Sequence, residues 1–345
     1  MPLDPTTLGT PVAVAAIGKE LKKLWQADQT RTRASRINFA ILCEGEDAMQ
    51  SNTALLTTFS QGHAFRALLI GVQPATGDTT VQAWVDAHCY LPKAGAKHVC
   101  CEQVSLFIRG NVRPLLPNLL FSQLDSDLPL TVWWRCESPE LMDHEIWLWV
   151  DRLVFDSREW SEPRHQLAAL RTSLGNSRAV LCDLNWTRTL FLRQALAQMF
   201  DTAETAAALR QLREVNIAHA PGARTTAMLL LGWLAAQLGW GAHGPTGNTL
   251  HFSNGTSDIV CHLREEAGAS ISRIELQSAA FTVTASRNIG ASFLNVKVIS
   301  ADGAISEHIL PADSDDTVRT LDQEMASWGR HTVYLKALAA AEPLL

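Results

Sequence analysis

SDLPLTVWWRCESPE (residues 126–140), DRLVFDS (151–157) and AVLCDLNWTRTLFLRQALAQMFD (179–201) carry the pattern that decides the fold. Leu128–Trp134, Arg152–Phe155 and Ala179–Leu184 are short apolar runs of strand length. Between and after them, 139–149, Pro163–Leu174 (stopped by Gly175) and Trp186–Phe200 have helical spacing. Short apolar strands alternating with amphipathic helices predict a mostly parallel sheet covered on both faces. The functional edge of such a sheet lies beyond the carboxyl ends of its strands.

The same alternation extends upstream. Gly18–Arg33 reads as an amphipathic helix running into an Arg-rich joint, Ile37–Leu42 and Ala67–Val72 as strands, and Asp47–Gln61 as the helix between them. Val81–Tyr90 and 98–108 are strand-like, and Val112–Leu124 is a helix opening on Pro114. After Asp201 the texture changes. Thr202–Arg213 reads as helix, Val215–Ala218 as a short strand and Arg224–Leu238 as an apolar helix. Four strand-like stretches follow without intervening helices (Ile259–Arg264, Ile271–Ser286, Phe293–Ser300, Ile305–Leu310), then terminal helices at 317–328 and Val333–Ala341. The fold class expected is α/β in the first part, followed by an α+β domain with an antiparallel sheet. The implied division is 1–33, 34–205 and 206–345.

Composition narrows the function classes. The chain has 345 residues, 47% hydrophobic and 19% charged, with a net charge of −6. That is ample core material and no basic face for phosphate neutralisation, so neither disorder nor a dedicated nucleic-acid binder is expected. The most apolar run, Ala227–Leu238, is too short to cross a bilayer. Seven cysteines scattered through apolar segments suggest small buried hydrophobes in a reducing, cytoplasmic setting. Tryptophan and arginine are in surplus: 11 Trp against 2 Tyr, and 22 Arg within the 29 basic residues. Both types are enriched at binding hot spots.

No standard catalytic signature is present. The chain lacks a Gly-x-Gly-x-x-Gly turn, a phosphate-binding loop, a Gly-x-Ser-x-Gly elbow and a His-Glu-x-x-His helix. His98, Cys100, Cys101 and Glu102, with His88 and Cys89 on the preceding strand, could offer zinc ligands, but half-buried strand residues are the stronger reading. No metal and no cofactor is expected. The strand ends are richer. Arg135 follows Trp133 and Trp134, Asp151 and Arg152 open the next strand, and Asp156 and Ser157 close it. Asp183 ends the third, followed by Trp186, Thr187 and Arg188, with Arg193 further along the helix. Taken singly, each is best read as a cap or an Arg–Asp pair. Taken together, they could form an anion pocket or a protein-docking surface.

These motifs resemble the glucose-6-phosphate dehydrogenase assembly protein family, OpcA, in which a Leu-Pro-x-x-x-Trp-Trp-Arg strand, an Asp-Arg-x-x-x-Asp-Ser strand and an Asp-x-x-Trp-Thr-Arg helix start occur in this order. They fall here on Leu128, Pro129, Trp133, Trp134 and Arg135; on Asp151, Arg152, Asp156 and Ser157; and on Asp183, Trp186, Thr187 and Arg188. The aromatic of the family's Pro-Trp-Arg is replaced by Leu192, ahead of Arg193. The resemblance implies a non-catalytic partner that binds glucose-6-phosphate dehydrogenase and favours its active oligomer, without nucleic acid or membrane. The alternative is a sugar-phosphate-binding or sugar-modifying α/β protein that uses Arg135, Arg152 and Arg188 as a phosphate clamp.

Overall fold

The computed structural model describes residues 7–26, 31–33, 35–90, 98–137, 144–246, 249–327 and 329–345. Two compact units are present. The first comprises Met1–Phe155 and His165–Cys182, the second Asp156–Arg164 and Asp183–Leu345. The chain therefore passes between units at Phe155/Asp156, Arg164/His165 and Cys182/Asp183. The division expected between residues 205 and 206 falls inside the second unit.

The first unit is built on one sheet with strands β1 (Thr10–Val12), β2 (Arg31–Arg33), β3 (Ile37–Glu44), β4 (Phe65–Pro74), β5 (Thr80–Tyr90), β6 (His98–Gly110), β7 (Leu130–Arg135), β8 (Arg152–Phe155) and β9 (Val180–Asp183). Their order is β1-β5-β6-β4-β3-β7-β8-β9, with β2 beside β6. The β4–β6, β3–β4, β3–β7 and β7–β8 pairs are parallel, whereas β5 and β1 add an antiparallel edge. Helices α1 (Ile17–Gln26), α2 (Glu46–Phe59), α3 (Leu116–Phe121), α4 (His144–Trp147) and α5 (Pro163–Leu174) accompany it. β3 shows why alternation is absent from these strands: seven of its eight residues, Ile37 to Cys43, are buried, as a strand covered on both faces requires. The expected helix at 112–124 is shorter, because Val112–Leu115 forms a turn before Pro117 can take an early helical position. Part of the helix expected at 139–149 lies outside the described residues.

The second unit opens with α6 (Leu184–Thr187), α7 (Leu190–Gln198) and α8 (Ala203–Leu209). An eight-stranded sheet follows, made of β10 (Leu212–His219), β11 (Gly241–Thr246), β12 (Thr249–Ser253), β13 (Asp258–Glu265), β14 (Ile271–Ser278), β15 (Phe281–Ser286), β16 (Phe293–Ser300) and β17 (Ile305–Pro311), with α9 (Arg224–Leu238) between β10 and β11. The strand order is β11-β12-β13-β10-β14-β15-β16-β17. All neighbours are antiparallel except β10 with β13, which the α9 crossover makes parallel. Helices α10 (Thr317–Ala326) and α11 (Thr332–Ala341) close the chain. β11 escapes a sequence reading because Gly241, Gly244 and Pro245 interrupt it.

α9 is apolar nearly all round, with Ala227 to Leu231 buried consecutively, and it belongs to the same core as Val215, Ile274 and Phe252. It crosses α11 closely at Gly232, where a β-carbon would lie 2.4 Å from the Ala337 carbonyl oxygen. Only a residue without a side chain allows that approach. Among the described residues, no helix is long and apolar enough to cross a membrane.

One sequence expectation needs correcting. The cysteines are not all free thiols: Cys89 and Cys100, directly opposite in the β5–β6 register, form a disulfide. Cys101 points to the other face, where its thiol donates to the His63 carbonyl.

Replacing Gly232 by alanine should destabilise the second unit by about 2 kcal/mol through overpacking. The same change at exposed Gly18, with nothing within 4 Å of the new methyl, should be near neutral. Chemical denaturation of the two variants checks this.

Candidate functional site

The second unit gathers the end of the second motif and the whole of the third around one buried polar network. Asp156 and Ser157 begin its first segment, and Asp183 N-caps α6 by accepting from Asn185 N–H at 3.0 Å. The Arg188 guanidinium faces Asp156 through two contacts of 2.7 Å. One is a hydrogen bond from Nη1 to Oδ1; the other, Nη2 to Oδ2, is an ion contact without hydrogen-bond alignment. Their side chains are 0% and 2% exposed. At that depth each charge requires the other.

Asp183 is equally enclosed and more heavily bonded. Its Oδ1 accepts from Ser157 N–H and its Oδ2 from the Ser157 hydroxyl at 2.7 Å and the Tyr334 hydroxyl at 3.2 Å. The Asn185 side chain donates to Ser157 Oγ and accepts from Thr226. Thr187 donates to Glu324 at 2.6 Å, and Glu324 also faces His331 at 3.1 Å. Burial pushes the Asp183 carboxyl up to about 7; the Ser157 and Asn185 donors oppose the shift and the Asp156 charge adds to it.

The single helix expected from Trp186 to Phe200 is broken at Thr189, and the break has a distant cause. Asp313 accepts from Phe191 N–H and Leu192 N–H at 2.9 and 3.0 Å, giving α7 a cap from more than a hundred residues away. Burial raises the Asp313 carboxyl to about 6. Arg193, 6% exposed, then stacks its guanidinium 3.4 Å from the centre of the Trp186 ring and donates from Nη1 to the Trp186 carbonyl and to Thr189. Burial lowers Arg193 to about 9, still cationic at neutral pH.

The remaining motif residues lie in the first unit and are also mostly buried. Trp133 is 1% exposed, near Phe39, with Arg135 over its ring at 5.0 Å; Arg135 also donates to Asn52. Trp134, 3% exposed, packs against Trp147. Exposed Asp151 accepts from Leu130 N–H, tying the starts of β7 and β8 together. Arg152, 7% exposed, contacts the Cys182 sulfur at 3.3 Å. The indoles expected at a docking surface are therefore core, because β7 is a central strand with helices on its faces. Arg188, offered as a clamp member, is neutralised by Asp156. The zinc-like cluster does not assemble either. Cys89 and Cys100 bond to each other, Glu102 pairs with Arg66 and receives Trp25, and His88 bonds Gln103 and Thr57; the His98 side chain lies outside what is described.

Sequence reasoning misses Thr226, Asp313, Glu324, His331 and Tyr334, for which no local motif speaks; a polar residue on an apolar helix face is the only available hint. It also misses exposed aromatic surface in the first unit. Trp149, 69% exposed, meets Phe121 edge-on at 6.0 Å beside Leu148, 55% exposed.

Comparison with known proteins adds identity to this geometry. Residues 57–172 match the model of the glucose-6-phosphate dehydrogenase subunit N-terminal domain, and residues 179–338 match that of the C-terminal domain. A putative OxPP cycle protein OpcA of Nostoc punctiforme is 29% identical over 176 residues, which are 50% of this chain and 38% of that protein. The Synechocystis protein of the same name is 22% identical over 306 residues, 79% of this chain and 62% of that protein. The chain spans less than two thirds of the length of these relatives. A solved structure of the putative oxidoreductase yvaA from Bacillus subtilis overlaps with a TM-score of 0.48 at 7% identity, covering 91% of this chain and 95% of that one. At that level neither fold detail nor chemistry transfers.

The raised Asp183 pKa makes a pH prediction. In the unfolded chain this carboxyl titrates near 3.8, in the folded one near 7. Its protonated form therefore stabilises the fold fully below the lower value, and the contribution is lost as pH rises through the upper one. Asp183→Asn, whose amide can donate to the two hydroxyls, should flatten the fall in unfolding free energy between about pH 4 and about pH 7. Urea titrations of both proteins across that range measure it; parallel slopes would refute the assignment.

Proposed function

The chain belongs to the OpcA family of glucose-6-phosphate dehydrogenase subunits, and on that premise we propose that it is a non-catalytic partner that binds glucose-6-phosphate dehydrogenase and favours its active oligomer. The observation that carries this reading is the pair of domain models matching in order along most of the chain. The buried network is consistent with it. Asp156, Ser157, Asp183 and Arg188 resemble acid–base and nucleophilic groups in type, but all four are buried and engaged with one another or with neighbouring side chains. Activation then needs no chemistry from this chain. A partner with higher affinity for the active oligomer raises its population by that difference in affinity.

Of the indoles, Trp149 offers the most suitable anchor for such contact. It is exposed, follows α4, meets Phe121 edge-on and belongs to a residue type enriched at hot spots. The sugar-phosphate clamp of Arg135, Arg152 and Arg188 gains no support, since Arg188 already has its anion.

Mixing the purified chain with the dehydrogenase of its own host should yield a complex on gel filtration and raise the rate of glucose 6-phosphate oxidation or lower its KM. Trp149→Ala should weaken the complex about 10-fold or more with an unchanged melting temperature. If a saturating excess of the chain changes neither rate nor KM and no complex elutes, the reading fails.

A further inference from the structure

A cleft of about 490 Å³ in the second unit is lined by α7, by Trp233 of α9, by Ser327 and by Gly329 to Tyr334. Its size is in the range of small-ligand sites. The cationic groups Arg193 and Arg330 line it, and none of its described lining residues is acidic.

Arg193 is the informative group. It is 6% exposed, yet no carboxylate among the described residues lies within ion-pair distance of it. Asp313 and Glu324 act on it only from a distance, and both are otherwise engaged, Asp313 at the start of α7 and Glu324 with Thr187 and His331. Only Nη1 is hydrogen-bonded, to the Trp186 carbonyl and Thr189. Nε and Nη2 have no described hydrogen-bond partner, and Arg193, stacked on Trp186, is among the residues that line the cleft. An unpaired charge at such depth is costly, and an anion entering the cleft would relieve that cost.

A second feature points the same way. The ten-residue helix α11 begins in the lining, at Thr332, Val333 and Tyr334, and its N-cap residue His331 provides no side-chain cap. His331 has φ 47°, the one positive value at a non-glycine position among the described residues. This strained turn brings the helix start to the cleft, and the His331 ring is held aside on Glu324. Uncapped N–H groups and the positive end of a helix dipole bind anions.

We propose that this cleft is a binding site for a small organic anion, a phosphate ester or carboxylate. Its head would sit between Arg193, Arg330 and the α11 N-terminus, and its apolar or planar body would lie against Trp233 and Leu190. The site is separate from the Asp156–Arg188 pair and does not depend on dehydrogenase binding.

The test is thermal unfolding of the chain with inorganic phosphate, phenyl phosphate, benzoate or, as a neutral control, phenol. Phosphate, or better phenyl phosphate or benzoate, should raise the melting temperature by about 5 °C at a hundredfold excess over Kd, and phenol should not. Arg330→Glu, at an exposed position, should weaken binding about 10-fold or more. Val333→Asp places a carboxylate on the helix start. It should hold or raise the melting temperature without ligand and abolish the ligand-dependent rise. No rise with any anion, an equal rise with phenol, or an undiminished rise in both variants would overturn the proposal.

Discussion

The buried ion pair between Asp156 and Arg188 is the constraint around which the second unit is arranged. Removing both charges from water costs several kcal/mol each, and close contact returns that only with good geometry. The pair therefore fixes where the segment beginning at Asp156 meets the turn after α6. Asp183 repeats the logic one step away, taking three donors from Ser157 and Tyr334 and one from Asn185. Through Thr187 and Glu324 the same network reaches α10, and through Asn185 and Thr226 it reaches α9. Residues far apart in sequence thus share one set of buried hydrogen bonds.

Helix α7 depends on this arrangement. The Arg188 guanidinium turns inward to Asp156, the helix breaks at Thr189, and Asp313 caps the new start. That break places Arg193 over Trp186 and leaves part of its fork facing the cleft beside α11. The structural ion pair and the candidate anion site are therefore linked by geometry, although they engage different arginines.

Alternation of apolar strands with amphipathic helices was enough to read the parallel sheet of the first unit, and the run of helix-free strands was enough to read the antiparallel sheet of the second. The motif residues were also legible as a group, since strand-end Asp, Ser and Arg point to capping and pairing. Their solvent exposure was not. Trp133 and Trp134 suggest hot-spot chemistry by type, but β7 pairs with β3 and β8 on either side, and its side chains go to the core. Asp313 could not be read as the α7 cap because the contact spans more than a hundred residues and has no local signature. The Cys89–Cys100 bond depends on the β5–β6 register, which spacing alone does not fix.

The central claim is that the ordered motifs build the fold while partner contact is made elsewhere. A double-mutant cycle on Asp156→Leu and Arg188→Met, read both as unfolding free energy and as affinity for glucose-6-phosphate dehydrogenase, tests it most directly. Each single change should cost about 3 to 5 kcal/mol of stability and the double change much less, with the affinity of folded protein unchanged throughout. Coupling that appears in the affinity while stability stays at the parent value would contradict the account.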